Sequence, residues 1–321
     1  MSRRGFTILI AGAGQLGSRY LQGLVKCGLP LAIHVQDCCA ESLDRAQQRW
    51  KEMASTGFSH DVSFQSSLEL VPRELDMAIV ATTADVRSKV VGEIANHAGV
   101  RFWVLEKVLA QSEAGLDELI SHVGSGSKAW VNTPRRMMPW YRQIKAQLGL
   151  NRPLTLKVSG GEWGLACNAV HFLDLCAWWT GETLQSIRTD RLNPSWINSK
   201  RKGFQEVSGT LEAEFSGGSR ASLRAGEGEA FLPLEVSDRH KSWQIEEVEG
   251  VARCSDGIEI RGRMPYQSEM SAALVEAILG SGQCDLPSLE DSIALHRVFI
   301  RSMLVHWKRA GNPTATFVPI T

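Results

Sequence analysis

No stretch of the 321-residue sequence reaches the ~18 uncharged apolar residues that a membrane helix needs, so no helical membrane span is expected. An excess of charge of one sign is also missing. Lys+Arg and Asp+Glu are each 35, and the formal net charge is zero. A chain without a basic excess is not built to hold nucleic acid or an anionic membrane as its main partner. Weak net charge favours self-association instead, and a homo-oligomer (dimer or tetramer) is expected. Paired cysteines are lacking too. The seven cysteines are an odd number, no C-x-x-C occurs, and none has zinc-ligand spacing. A disulfide framework and a metal site are therefore not expected, and a reducing cytoplasm fits best. The opening Met1-Ser2-Arg3-Arg4 before an apolar run resembles a secretory leader only superficially, because the run is short and flows straight into a glycine turn. There is no repeat of 20 to 50 residues and no low-complexity tract.

What is present is the profile of a globular protein with a sizeable core, 43% hydrophobic and 22% charged. Its length suits two domains. The most informative stretch is "ILIAGAGQLGSRYLQGL", Ile8 to Leu24. An apolar run ending at Ala11 reads as a buried strand. Gly12, Gly14 and Gly17 follow in G-x-G-x-x-G spacing, and Leu16, Tyr20, Leu21 and Leu24 recur at helical intervals. Strand, glycine turn and helix are the context of a dinucleotide fingerprint. Gly12 makes the tight turn, Gly14 lets a pyrophosphate approach the backbone, and Gly17 lets the helix pack on the strand. Gln15 and Leu16 begin the helix, whose free N–H groups attract phosphate. The next apolar strand ends in Asp37, and 37 − 17 = 20 positions separate it from the last glycine. That matches the ~20-residue offset of the acid that binds an adenosine ribose. Cys38 follows Asp37, and neither it nor Cys39 offers a positive charge to a 2′-phosphate. The expected cofactor is therefore NAD(H) in preference to NADP(H).

Along the first 130 residues strands and helices alternate, which implies a parallel sheet covered on both faces. Strands are expected at Thr7–Ala11, Leu31–Gln36, Met77–Ala81, Phe102–Leu105 and Trp130–Asn132. Helices are expected at Leu16–Lys26, Ala40–Met53, Val86–Asn96 and Glu113–Val123. After about Asn151 the texture changes to strand-like alternation, with Gly217-Gly218 and Asp256-Gly257 as hairpin signals. The expected fold class is α/β. A Rossmann dinucleotide-binding domain (residues 1–130) precedes an α+β domain (131–321) with an open, mostly antiparallel sheet for substrate binding and oligomerisation. The active site is expected in the crevice between them, at the carboxyl ends of the parallel strands.

The segments "GAGQLG", "LEKVLA" and "NAVHFLDLCAWWTG" resemble the Gfo/Idh/MocA oxidoreductases, as does the C-terminal stretch "DLPSLEDSIALHRVFIRSMLVHWKRAGNP". The resemblance implies a two-domain nicotinamide-dependent enzyme acting on a sugar, amino sugar or nucleotide-linked sugar. It implies hydride transfer at a carbinol or carbonyl carbon, with Lys107 and His171 in proton transfer. Glu106 and Lys107 stand where the family carries Glu-Lys-Pro, with Val108 in place of the proline. Both are expected near the cofactor, as are Ala81, Thr82 and Thr83 in "VATTADVR", where Arg87 replaces a family histidine.

Substrate contacts are expected from Arg135 and Tyr141 in "NTPRRMMPWYRQIK", from Trp163 in "GGEWG", and from Asn168 and Asp174 on the histidine's helix. Asp174, three positions beyond His171, shares its helix face and either orients the imidazole or closes a local network. The main departure is Cys167, which stands where the family's dehydrogenases carry an aspartate one turn before the histidine. A thiol cannot copy a carboxylate's charge. The alternatives are a closed-cycle NAD enzyme performing elimination or epimerisation, and a non-catalytic dinucleotide sensor.

Overall fold

In the computed structural model the chain forms two compact units. The structure describes residues 5–53, 60–149, 153–226 and 233–321. Met1–Glu106, Asp117–Asn132 and Pro265–Leu289 make the first unit; Lys107–Leu116, Thr133–Met264 and Glu290–Thr321 make the second.

The first unit begins with strand β1 (Phe6–Ala11), helix α1 (Gln15–Leu24), β2 (Leu31–Gln36), α2 (Ala40–Met53) and β3 (Asp61–Gln65). It continues with β4 (Glu74–Val80), α3 (Arg87–His97), β5 (Gly99–Leu105), α4 (Glu113–Val123, within this unit from Asp117 on) and β6 (Lys128–Val131). The six strands are all parallel, in the order β3-β2-β1-β4-β5-β6. Ile8, Leu9, Ile10 and Ala11 of β1 are sealed from solvent, as a central parallel strand with both faces covered requires. The strand order reverses at β1, which places the glycine turn at the switch point where such sheets bind ligands. The short β3 was not expected. Its residues are only partly buried at an edge, so it carries almost no apolar signal.

A further helix, α7 (Gln267–Ser281), returns to this unit late in the sequence and lies on α1. The approach is close: a Cβ on Gly23 would stand 2.4 Å from the Ser268 carbonyl oxygen and 2.8 Å from the Ser271 Cβ. The Gly28 N–H also donates to Glu276 Oε1 at 2.6 Å. The apolar pattern of α7 alone does not say which sheet it covers.

The second unit holds α5 (Pro139–Gln147), β7 (Thr155–Gly160), α6 (Leu165–Thr180), β8 (Leu184–Asn198), β9 (Gln205–Phe215) and β10 (Arg220–Ala225). After these come β11 (Leu234–Ser237), β12 (Ser242–Glu246), β13 (Val251–Cys254), β14 (Glu259–Arg261) and the closing helix α8 (Leu289–Arg309). The sheet order is β14-β13-β12-β11-β7-β10-β9-β8. Among the described residues only the β7–β10 pair is parallel, so the expected mostly antiparallel sheet is present. Gly218 and Gly257, at φ +93° and +94°, sit in the turns after β9 and β13, where the sequence signals hairpins. Helix α6 is apolar nearly all round because it packs on β9 and β10 with most of its residues buried.

Two glycine substitutions test this packing. Gly23→Ala drives a methyl group into the backbone of α7 and should lower the unfolding free energy by roughly 1–3 kcal/mol. Gly14→Ala meets nothing within 4 Å and should change stability by less than ~0.5 kcal/mol. Urea denaturation of both variants measures the contrast.

Candidate active site

The first unit's site is built around the turn between β1 and α1. Gly12 has φ +93°, and its N–H donates to the Gln36 carbonyl at 2.8 Å. A Cβ at Gly17 would stand 1.7 Å from the Gly12 carbonyl oxygen, so helix and turn touch in a way only glycine permits. Gly14 faces open space. Helix α1 has Gly14 as its N-cap, with no side-chain cap and no acid in its first turn. The first-turn amides of Gln15, Leu16 and Gly17 are therefore available to an anion. Asp37 accepts from Ala13 N at 2.7 Å through Oδ2 and from Cys39 N at 2.8 Å through Oδ1. Each carboxylate oxygen keeps a second acceptor site. An open glycine, uncapped amides and an anchored carboxylate at the strand end fit a dinucleotide.

Around this turn, Cys38 is exposed. Gln15 Oε1 accepts from Arg49 at 2.9 Å, and the same guanidinium bonds Ser18 Oγ. Ala81 N donates to the Ala11 carbonyl at 2.8 Å, which keeps Ala81, Thr82 and Thr83 level with the glycine turn. Thr82 Oγ1 is buried without a partner, while its carbonyl accepts from the buried Arg87.

Glu106, expected at the cofactor, has its side chain turned inward. It is 3% exposed, and its Oε1 accepts from Tyr20 Oη at 2.7 Å and Asn132 Nδ2 at 2.6 Å. Asn132 also donates to Gln267 Oε1 at 2.9 Å. Burial, and then the adjacent carboxylate, pushes the Tyr20 phenol well above its ordinary value, so it remains a donor. The carboxylate is used up in fastening α1, β5, β6 and α7 together.

The second unit begins at the next residue, Lys107. The Lys107–Val108 peptide bond is cis. The lysine Nζ donates to the Cys167 carbonyl at 3.2 Å, to Cys167 Sγ at 3.3 Å and to Asn168 Oδ1 at 3.1 Å. An ammonium has three N–H groups, and here each has an acceptor on the first turn of α6. The Asn168 amide is oriented by its Nδ2, which donates to the Trp163 carbonyl at 2.8 Å. One turn on, His171 is half-buried, and its Nδ1 is sealed from solvent without a partner. Burial first, then the positive charges of Lys107, Arg135 and His296, hold its imidazole well below the usual 6.5. It is a neutral histidine at pH 7.

Other expected substrate contacts are occupied elsewhere. Asp174 does not serve the imidazole. It receives Arg136 at both oxygens, at 2.8 and 2.5 Å. The local network is the alternative realised. Tyr141 is fully buried, and its hydroxyl is given to Glu247. Arg135 is likewise held by Glu247, at 2.7 and 2.9 Å, and its guanidinium lies 4.4 Å over the Phe172 ring. Trp163 stands edge-on to Phe172 at 5.5 Å, and its Nε1 donates to the Arg224 carbonyl at 2.8 Å. Of the five residues expected to bind substrate, only Asn168 bonds directly to the lysine. Glu206, Glu247 and Arg136 went unnoticed in the sequence. Each is an ordinary charged residue whose partner lies far along the chain.

No family model matches the sequence, and no curated protein matches it. Solved structures do. UDP-N-acetylglucosamine 3-dehydrogenase GnnA from Acidithiobacillus ferrooxidans superposes with a TM-score of 0.67 at 16% identity, covering 95% of this chain and 97% of that one. A scyllo-inositol dehydrogenase from Lactobacillus casei, with bound NAD(H) and scyllo-inositol, gives 0.68 at 14% identity over 95% and 98%. An oxidoreductase from Agrobacterium radiobacter, in complex with NAD+, L-tartaric acid and magnesium, gives 0.70 at 14% over 97% of each chain. At these identities the likeness establishes the fold, a Rossmann-type parallel sheet followed by a mostly antiparallel one. No helix among the described residues is long and apolar enough to cross a membrane.

The depressed histidine has a consequence for stability. The unfolded chain protonates His171 near pH 6.5 and the folded chain does not, so below that pH the unfolded state binds more protons. Stability therefore rises with pH through this window and falls on acidification. Between pH 7 and 5.5 this one group should remove ~1 kcal/mol. His34, His60 and His306, also held low by burial, add losses of the same sign. Calorimetry at the two pH values should show a smaller loss for His171→Asn than for the parent. An equal loss would mean that the imidazole titrates normally.

Proposed function

We propose that this chain is a nicotinamide-dinucleotide-dependent oxidoreductase of the Gfo/Idh/MocA type, acting on a secondary hydroxyl or ketone of a sugar-like polyol. One observation carries the reading. The residue that leaves the carboxyl edge of the parallel sheet is a lysine, held by three neutral acceptors one turn before a neutral histidine. The neighbouring folds named for UDP-N-acetylglucosamine and inositol dehydrogenation support the substrate class.

A dinucleotide held by the Gly12–Gly17 turn and Asp37 would supply hydride exchange with the substrate carbon. The hydroxyl proton must leave as well: the Lys107 ammonium first yields one of its protons to neutral His171 and then takes the hydroxyl proton in its place, so that the imidazole ends with the proton gained. In the reverse direction the ammonium polarises the carbonyl and returns the proton. Three of the lysine's contacts are already made, so the substrate oxygen must displace one. The weakest acceptor is Cys167 Sγ at 3.3 Å. The thiol thus holds the place that the substrate oxygen takes. Asp37 receives the ribose hydroxyls. NAD(H) is preferred because the carboxylate repels a 2′-phosphate and the nearby guanidinium of Arg49 is engaged by Gln15 and Ser18.

Lys107→Ala should lower kcat by ~10²–10⁴-fold while dinucleotide affinity persists. Cys167→Ala should cost less than ~10-fold, since a neutral thiol transfers no proton here. Gly14→Val should do the opposite of the lysine change, weakening dinucleotide binding with little loss of stability. Steady-state kinetics on a polyol panel, with NADH and NADPH titrations, read all of these. Tighter NADPH binding would overturn the cofactor preference. A dinucleotide bound without any turnover would move the assignment to a sensor.

A further inference from the structure

Resting on that reading, we propose that Glu206 is the positioning residue of the lysine site. From β9 it pins the first turn of α6 and so sets the acceptors that hold Lys107. Helix α6 starts after Gly164, which is in the left-handed region (φ +78°) and has no side chain to cap the helix. The missing cap comes from another element. Glu206 Oε2 accepts from Ala166 N at 2.8 Å, and Oε1 accepts from Cys167 N at 3.2 Å. A carboxylate on free first-turn amides is also favoured by the helix dipole.

The fit around this cap is close. A Cβ at Gly164 would stand 3.2 Å from Glu206 Oε1 and 3.2 Å from Asn168 Nδ2, so a side chain there would press on both. Cys167 is strung between two elements. Its N–H belongs to Glu206, while its carbonyl and thiol belong to Lys107. Asn168, next in the same turn, supplies the third acceptor. All three acceptors are uncharged. The negative charge fastened to this turn is that of Glu206, and the lysine's charge is among the influences that favour its ionised form. Burial is the largest influence and raises the carboxyl above its ordinary value, while the two amide bonds and then Lys107 work against that rise. Glu206 forms no ion pair with Lys107. It acts through the backbone of the turn, which makes it a positioning residue and not a proton carrier.

The test is Glu206→Gln, which keeps the shape and removes the charge. An amide cannot accept both N–H groups through two oxygens, so the turn should loosen. The direct readout is the acetylation rate of Lys107 by an amine-reactive ester, followed by peptide mass spectrometry on the full chain. The exposed Lys202 is the internal standard. We expect Lys107 to react roughly tenfold faster in the variant, from the loss of an interaction of the helix-terminus type. Turnover should fall by roughly the same factor, with KM and dinucleotide affinity unchanged. Unchanged labelling of Lys107 in a folded Glu206→Gln protein overturns the proposal. If that variant does not fold, Glu206→Asp, one methylene shorter, is measured in the same way. Labelling reports on positioning whether or not a substrate is found. Failure of the parent protein to oxidise any polyol would overturn the oxidoreductase reading alone.

Discussion

One buried carboxylate organises the first unit. Glu106 follows β5 and is removed from water, where an ionised group without partners would be costly. It is stabilised by the Tyr20 hydroxyl and the Asn132 amide, and Asn132 reaches on to Gln267. Four elements meet at this point: α1 behind the glycine turn, the ends of β5 and β6, and the start of α7. Removing either donor would take away a buried hydrogen bond to a charged group, an effect of about 1.5–3 kcal/mol. The consequence for function is geometric. The end of β5 is fixed through Glu106, and the second unit begins at the next residue, Lys107. Its side chain is directed by α6.

The parts legible in the sequence are those whose physics is local. Gly12, Gly14 and Gly17 carry three different requirements at fixed spacing, and the structure displays each: a positive φ, an open face, and a helix too close for any side chain. The Asp37 offset follows from the length of one helix and one strand. The hairpins at Gly217-Gly218 and Asp256-Gly257 depend on a few neighbouring dihedrals. The parallel pairing of the strands follows from the alternation of strands and helices.

The parts that were not legible depend on pairings across the chain. Glu247 captures Arg135 and Tyr141 from more than a hundred residues away, and no periodicity announces it. The i, i+3 spacing puts His171 and Asp174 on one helix face, yet spacing does not show which partner arrives. Arg136 arrives with two well-aligned bonds, a better partner for a carboxylate than a neutral imidazole. Tyr141 illustrates the same limit. Its aromatic ring suits a sugar face as well as a core, and only burial separates the two uses. The strand β3 and the helix α5 were missed for a simpler reason. Both are short, and neither offers enough apolar repeats to stand out.

On the proposed oxidoreductase reading, the cysteine at position 167 takes on a specific meaning. A carboxylate there would bind the lysine strongly and compete with an incoming hydroxyl for its protons. A thiol is a weak acceptor at hydrogen-bond range, so it keeps the ammonium oriented with little resistance to displacement. The carbonyl of the same residue and the Asn168 amide provide the firmer contacts. With the charge moved off the lysine's immediate neighbours and onto Glu206 behind the helix turn, the site separates two tasks that one aspartate would combine. The negative charge stabilises the turn, and the neutral acceptors meet the lysine. His171 fits this division: burial first, and then the surrounding positive charges, keep its imidazole neutral. An aspartate at position 167 would relieve that positive field and raise the imidazole's proton affinity.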